Sequence, residues 1–123
     1  MKIYTSYYSN RKIANLTKFA ISRSVPRDLI EHYKLALLAP SADLLYGHKN
    51  GYVSNEEYVQ RYVHYLNSHR EEIIDLIRGV WRISKQNGTD AVLLCWEGKT
   101  KFCHRHLFAK WFFEQTGYQI EEL

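Results

Sequence analysis

The clearest pattern of apolar and polar positions lies near the C-terminus, where a strand, a polar loop and a helix follow one another. The run Ala91–Trp96 is apolar and rich in β-forming residues, as is typical of a strand covered on both faces of a sheet. The residues that follow it disfavour a strand. After Cys103, apolar residues recur at helical spacing and predict a helix over His104–Gln115, which Gly117 ends. Polar and sulfur-containing side chains are therefore expected where the strand ends and the helix begins.

Similar patterns predict the other elements of secondary structure. Three further strands are expected, over Lys2–Ser6, Thr17–Ser22 and Tyr118–Leu123. Three further helices are expected, one from Arg27 to Leu38, one capped by Ser54 or Asn55, and one from Arg70 to Lys85. The segment Ala39–Val53 has no sustained period and is predicted to be a long loop.

The predicted order of elements is β-β-α-α-α-β-α-β, with no internal repeat and no linker. Strands separated by helices favour a mainly parallel sheet joined by right-handed crossovers. The sequence therefore predicts a single α/β domain over residues 1–123, with a three-layer, Rossmann-like fold, a small sheet and helices on both faces. Open sheets of this kind bind ligands at the carboxyl ends of their strands.

Composition restricts the partners of the protein more than it identifies them. Apolar residues make up 46% of the chain, enough for a core, and no stretch has the pattern of a membrane span or a signal peptide. We therefore expect a cytoplasmic protein with free thiols, although a disulfide between Cys95 and Cys103 is geometrically conceivable. The net charge of +4 suits a partner that carries phosphate. The basic residues are scattered, so nucleic acid is a weaker expectation than a small ligand.

The C-terminal motif resembles a known family. Leu93, Leu94, Cys95 and Glu97, followed by the triplet Cys103-His104-Arg105, are similar to the signature of the domain of unknown function 488 family, the YeaO-like proteins. The N-terminal segment Ile3–Asn10 and the group Arg23, Ser24 and Pro26 are similar more loosely, and Tyr7 and Tyr8 replace a glycine and a histidine of longer members. Because that family has no established general activity, the resemblance implies a fold and a site but no reaction.

The residues at the predicted helix start suggest how a ligand would bind. A cysteine in that position, here Cys103, lies close to the positive end of the helix dipole and to backbone N–H groups. The same place binds anions, and the planar guanidinium of Arg105 suits phosphate or carboxylate. Other interpretations stay open, because Cys103 is also explained as a small buried residue and Cys95 is better explained as core. Glu97 is either a solvated carboxylate or an ion-pair partner of Arg105 or Arg23.

Metal binding and thiol catalysis are both disfavoured by the spacing. Two cysteines and two histidines around this motif have side chains that can ligate a metal: Cys95, Cys103, His104 and His106. Their spacing matches no common zinc pattern, and adjacent helical positions point about 100° apart, so Cys103 and His104 are not expected to share an ion. For the same reason, a nucleophilic Cys103 would need a base from elsewhere, such as His48 or His64. We therefore expect no metal and no cofactor.

These observations favour binding of a small phosphorylated ligand, a nucleotide or a nucleotide-derived signal, at the carboxyl edge of the sheet. The protein would sequester this ligand, and a homo-oligomer is compatible with that role. The expected ligand-binding residues are Tyr7, Tyr8, Arg23, Ser24, Tyr46, Cys95, Trp96, Glu97, Cys103, His104 and Arg105. One alternative is an enzyme that acts on a nucleotide or nucleic acid by hydrolysis or glycosidic transfer, with Glu97 or Cys103 as the catalytic group. A second alternative is an accessory protein that binds nucleic acid.

Overall fold

Parallel strands form the central sheet in the computed structural model, which describes residues 1–29 and 31–123. The strands are β1 Ile3–Tyr7, β2 Thr17–Ala20, β3 His32–Lys34, β4 Ala91–Cys95 and β5 Glu121–Glu122. Their order is β3-β2-β4-β1-β5, and every neighbouring pair is parallel. All residues of the central strand β4 are buried. This confirms the strand that its continuous apolar run predicts.

Most of the helices begin or end at capping residues that the sequence shows. They are α1 Ala42–Lys49, α2 Asn55–Ser68, α3 Arg70–Asn87 and α4 His104–Thr116, with two short 3₁₀ helices, η1 Arg11–Ile13 and η2 Ala36–Leu38. Ser54 caps α2 by accepting a hydrogen bond from the Glu57 amide at 3.1 Å. Gly88 and Gly117 end α3 and α4 with left-handed φ angles of 69° and 77°. The predictions for α2, α3 and α4 are confirmed.

The connections between strands divide into two groups on opposite faces of the sheet. The chain moves in one direction along the sheet from β1 to β3 and in the other from β3 to β5, so right-handed crossovers leave from opposite faces. The main core includes buried residues from all four α-helices. On the other face, a smaller cluster of Ile13, Val92 and Leu94 packs under η1. The fold is therefore a three-layer, Rossmann-like α/β arrangement, as predicted, with a thin second outer layer.

The predicted helix over Arg27–Leu38 is wrong. Glu31 has a left-handed φ of 44°, which interrupts a right-handed helix. The next residues form the exposed edge strand β3, and the Leu35 amide donates to the Ala20 carbonyl at 2.8 Å. Pairing with the open edge of β2 therefore outweighs the local helical pattern. Ile30, part of that predicted helix, lies outside the described residues.

The predicted loop Ala39–Val53 contains α1. Ser41 caps this helix by accepting a hydrogen bond from the Leu44 amide at 3.2 Å. Leu44 is the one buried residue within the helix, which explains why the apolar positions show no helical period. The helix packs closely on the segment after it, because a Cβ at Gly47 would lie 2.8 Å from Val53 Cγ2. No helix in the described residues is both long and apolar enough to cross a membrane.

Candidate functional site

A cleft lies at the carboxyl edge of the sheet, beyond the ends of β2 and β4. Its walls come from the loop after β2, the loop between β4 and α4, and the helices α1 and α2. Because the connections after β2 and β4 leave toward opposite faces, the cleft lies at the kind of switch point where open α/β sheets bind ligands. Its cavity volume is about 80 Å³, small beside the roughly 300–1,000 Å³ of most ligand pockets. A ligand as large as a nucleotide would therefore lie partly outside this cavity.

Most of the predicted ligand-binding residues line this cleft. They are Arg23, Ser24, Tyr46, Trp96, Glu97, Cys103 and His104. Cys95 is bonded to Cys103. Tyr8 packs edge-on against Trp96, with ring centroids 5.1 Å apart. Tyr7 instead pairs with Cys95 across the sheet and does not line the cleft.

Arg105 is a structural residue and not the anion-binding fork that the sequence predicts. Its side chain is completely buried. Two N–H groups donate to the Glu122 carboxylate at 3.1 and 3.0 Å, and two donate to the carbonyl oxygens of Glu97 at 2.7 Å and Gly98 at 3.0 Å. The remaining N–H points at Cys95 Sγ at 3.4 Å. Since a guanidinium has five donors, none is left for a phosphate, and Arg105 fixes the loop after β4 to β5.

Cys95 and Cys103 form a disulfide in this structure. The predicted free thiols are therefore wrong for this form of the protein. The two cysteines are 0% and 5% exposed, so little solvent reaches either sulfur. The Glu97 carboxylate approaches Cys95, with Oε2 3.3 Å from Sγ. A disulfide sulfur has no S–H, so this contact is not a hydrogen bond in the present form, and only a reduced Cys95 would have a proton to donate there.

His104 is turned toward Cys103, against the prediction that the two point apart. Cys103 is the N-cap of α4 and has extended backbone angles, φ −156° and ψ 145°, so the angular spacing of helical residues does not apply to it. His104 Nε2 lies 2.6 Å from the Ile21 carbonyl oxygen, to which it must donate a proton. Its Nδ1 is then an acceptor, 3.7 Å from Cys103 Sγ. Burial lowers the pKa of His104 to about 4, so the ring is neutral at pH 7.

Glu97 places a negative charge at the mouth of the cleft. Burial is the main cause that raises the pKa of Tyr58 above its ordinary value, and the charge of Glu97 adds to it. Tyr58 is therefore a neutral hydroxyl donor at physiological pH. Of the alternatives left open for Glu97, the ion pair with Arg105 does not occur, because Arg105 binds the Glu97 carbonyl oxygen and pairs with the carboxylate of Glu122.

The sequence matches the family DUF488-N3a, described as the active DUF488-N3 subclade, over residues 2–116. The chain belongs to this family. Comparisons with curated proteins and with solved structures give no significant match. The match spans the whole cleft, from the end of β2 to the start of α4, and confirms the resemblance to domain of unknown function 488.

This DUF488-N3a chain also has cleft residues that the sequence did not assign to ligand binding. His48, Lys49 and Tyr58 line the cleft with Phe102, and the His48 ring stacks on Phe102 with centroids 4.8 Å apart. Two of them lie on α1, which has too weak a pattern to be predicted. His64, the other base suggested for Cys103, is exposed on α2 and does not line the cleft.

The cleft of the DUF488-N3a chain has cations and aromatic rings at its rim. Arg23 and Lys49 are both exposed. Arg23 donates one long hydrogen bond, 3.5 Å, to the Pro40 carbonyl oxygen, which leaves most of its donors available. Trp96 and Tyr46 are 49% and 54% exposed. The rim therefore offers positive charge and stacking surfaces, while the floor carries sulfur and imidazole.

Proposed function

We propose that the cleft binds a small phosphorylated ligand of the nucleotide class. The observation that carries this proposal is the placement of two cations, Arg23 and Lys49, and two half-exposed aromatic side chains, Trp96 and Tyr46, around one cleft at the switch point. Guanidinium and ammonium groups bind phosphate by charge-assisted hydrogen bonds. Aromatic rings stack on any base. The combination is typical of a nucleotide site.

The dimensions of the cleft suggest how such a ligand would sit. The cavity volume of about 80 Å³ suits a phosphate group held between Arg23 and Lys49. The base would lie outside it, against Trp96, whose indole N–H is held by the Ser24 carbonyl oxygen at 2.9 Å. In this proposal the protein sequesters the ligand unchanged in the cytoplasm, and a homo-oligomer is compatible with it.

Identification of the bound molecule tests the proposal directly. The purified protein is heated, and the small molecules that it releases are identified by mass spectrometry. Calorimetric titration with the identified nucleotide then compares Arg23→Ala and Lys49→Ala with Arg78→Ala, a control in an exposed ion pair on α3. We expect each cleft variant to lose about tenfold or more in affinity, since a hydrogen bond to a charged group contributes roughly 1.5–3 kcal/mol. Equal affinity in all three variants would contradict the proposal.

A second candidate function is an enzyme that hydrolyses a nucleotide or transfers its glycosidic bond. Two observations favour it: Nδ1 of the neutral His104 faces Cys103 Sγ, and the family is described as an active subclade. In the dithiol form, His104 would accept the Cys103 proton as Sγ attacks the sugar carbon and the bond from that carbon to the leaving group breaks, and the imidazolium would give the proton to the leaving group. Water, activated by the Glu97 carboxylate, would then displace the sulfur and release the sugar. An excess of the identified nucleotide distinguishes the two functions. A protein that only sequesters returns it unchanged, whereas an enzyme converts it and loses turnover in Cys103→Ser.

A further inference from the structure

Three metal-ligand side chains come together where β4 ends and α4 begins, and two of them, Cys103 and His104, line the cleft. The Sγ atoms of Cys95 and Cys103 and a ring nitrogen of His104 all lie within 4.8 Å of one another, and all three residues are buried. We propose that these side chains, with both cysteines reduced, bind one zinc ion. This inference is independent of the proposed function, because it uses no feature of a phosphate or nucleotide site.

The His104 ring is oriented as a zinc ligand. Metal-binding histidines usually donate the second ring N–H to a carbonyl or carboxylate, which fixes the tautomer and points the other nitrogen at the ion. The Ile21 carbonyl oxygen accepts from Nε2 at 2.6 Å. The unprotonated Nδ1 then faces the sulfur of Cys103. Packing and this hydrogen bond therefore prepare one nitrogen lone pair beside the two sulfurs.

Two charged groups act on the Cys95 sulfur in opposite directions: the Glu97 carboxylate, 3.3 Å away, opposes a thiolate, and the Arg105 guanidinium favours one. An N–H of the buried Arg105 guanidinium points at Cys95 Sγ from 3.4 Å. A positive donor stabilises an anionic sulfur much more than the neutral sulfur of a disulfide. Thiolates are the form in which cysteine binds zinc. Arg105 would then support the site from outside its ligands, as hydrogen-bonded neighbours of metal sites do.

The backbone spacing of the two cysteines also suits a shared ion. Their Cα atoms are 7.8 Å apart, beyond the roughly 4.4–6.8 Å that is usual for direct sulfur–sulfur bonding. A zinc ion placed between two sulfurs, at about 2.3 Å from each, lengthens the bridge by an atom. The separation along the chain, seven residues between the cysteines, differs from the common zinc motifs because the ligands come from a strand end and a helix cap.

Zinc is the ion that this ligand set favours. Two thiolates and one imidazole are soft and borderline ligands, which exclude magnesium and calcium. Binding to the dithiol releases two protons, and the two thiolates neutralise the charge of the ion. Three protein ligands would leave the fourth coordination position free of protein, and two of these ligands, Cys103 and His104, line the cleft. An open position is the pattern of a catalytic zinc site and not of a structural one.

Zinc titration of the reduced, full-length protein tests this inference. The protein is reduced with a phosphine, freed of metal with a chelator, and titrated with Zn²⁺ against a chromophoric competitor. We expect one zinc per chain. Cobalt(II) in the same site should give the intense visible bands of a tetrahedral thiolate complex. Zinc should also protect both cysteines from iodoacetamide, and a chelator should remove that protection.

Variants of the three ligands and one matched histidine identify the site. Cys95→Ser, Cys103→Ser and His104→Gln should each weaken zinc binding by more than the roughly 10–100-fold that loss of an outer partner costs. His106→Gln is the control, since His106 lies on the same helix but turns toward Glu122, with Nδ1 3.8 Å from its carboxylate. It should bind zinc as the wild type does. Circular dichroism checks that each variant is folded.

Three results would overturn the inference. A reduced wild-type protein that binds no zinc at micromolar concentration would exclude the site. Folded cysteine variants that keep wild-type affinity would place any zinc elsewhere. Unchanged alkylation of both thiols in the presence of bound zinc would do the same, and this measurement on the wild type stands even if a variant fails to fold.

Discussion

Removing the Arg105 side chain should destabilise the fold far more than it affects ligand binding. Arg105→Ala leaves the Glu122 carboxylate, which is only 17% exposed, without its bidentate partner. It also leaves the carbonyl oxygens of Glu97 and Gly98 without their donors. Removal of one member of a buried ion pair typically costs about 3–5 kcal/mol. That is a large part of the roughly 5–15 kcal/mol by which a domain is stable.

Urea denaturation measures this loss. With a slope of about 2 kcal/mol per molar urea, a loss of about 4 kcal/mol lowers the midpoint by about 2 M. Arg105→Lys should recover only part of it, because a lysine keeps the charge but has three donors that do not match the planar set of acceptors. Arg78→Ala is the control, since that arginine forms a pair in which both side chains are more than two-thirds exposed and should change the midpoint little.

The opposite result would restore the role that the sequence suggests for Arg105. If Arg105→Ala kept its unfolding midpoint within about 0.3 M of the wild type and lost affinity for the identified ligand, the guanidinium would be a ligand contact. The assignment of its five donors to the protein would then be wrong.

Further predictions concern two aromatic side chains and the order in which two cysteines react. Burial raises the pKa of Tyr62 well above its ordinary value of 10. The buried, neutral Tyr62 therefore makes its full contribution to the free energy of unfolding below pH 10, and the protein loses that contribution as the pH rises above 10. Tyr62→Phe should flatten that alkaline loss in denaturation curves, while costing about 1 kcal/mol at pH 7 through the hydrogen bond to Leu38; an unchanged alkaline profile would refute this. Trp96 should account for the fluorescence change on ligand binding, which Trp96→Phe should abolish. In the reduced, metal-free protein, iodoacetamide should modify Cys103, which faces the cleft, before Cys95. Mass spectrometry of the modified peptides gives the order of reaction, and faster modification of Cys95 would contradict this prediction.

Local periodicity was sufficient to predict β2, β4, α2 and α4, which position most of the cleft, but not α1. The run that forms β4 is apolar at every position, and the glycine and serine caps of α2 to α4 are explicit in the sequence. The strand β3 could not be predicted in this way, because its stability comes from pairing with β2 and not from its own residues. Helix α1 was missed because only Leu44 among its residues is buried.

The chemistry of the site depended on contacts that the sequence does not show. Glu122, the partner of Arg105, lies 17 residues away on a strand of two residues, so no motif joins them. The prediction that the Cys103 and His104 side chains point apart was wrong because it assumed that both residues were helical. Because Cys103 is an extended N-cap residue, its side chain does not follow the helical spacing, and its sulfur lies beside the His104 ring.

The place of β1 in the sheet has a consequence for how the chain folds. β1 lies between β4 and β5, and Ile3 is in register with Ala91, so β1 has no sheet partner until the residues of β4 have been synthesised. Closing such long sequence separations is entropically costly and slows folding. The cleft, which needs the ends of β2 and β4 side by side, should therefore form late and in one cooperative step. Until then, the nascent β1 would remain exposed to aggregation and to chaperones.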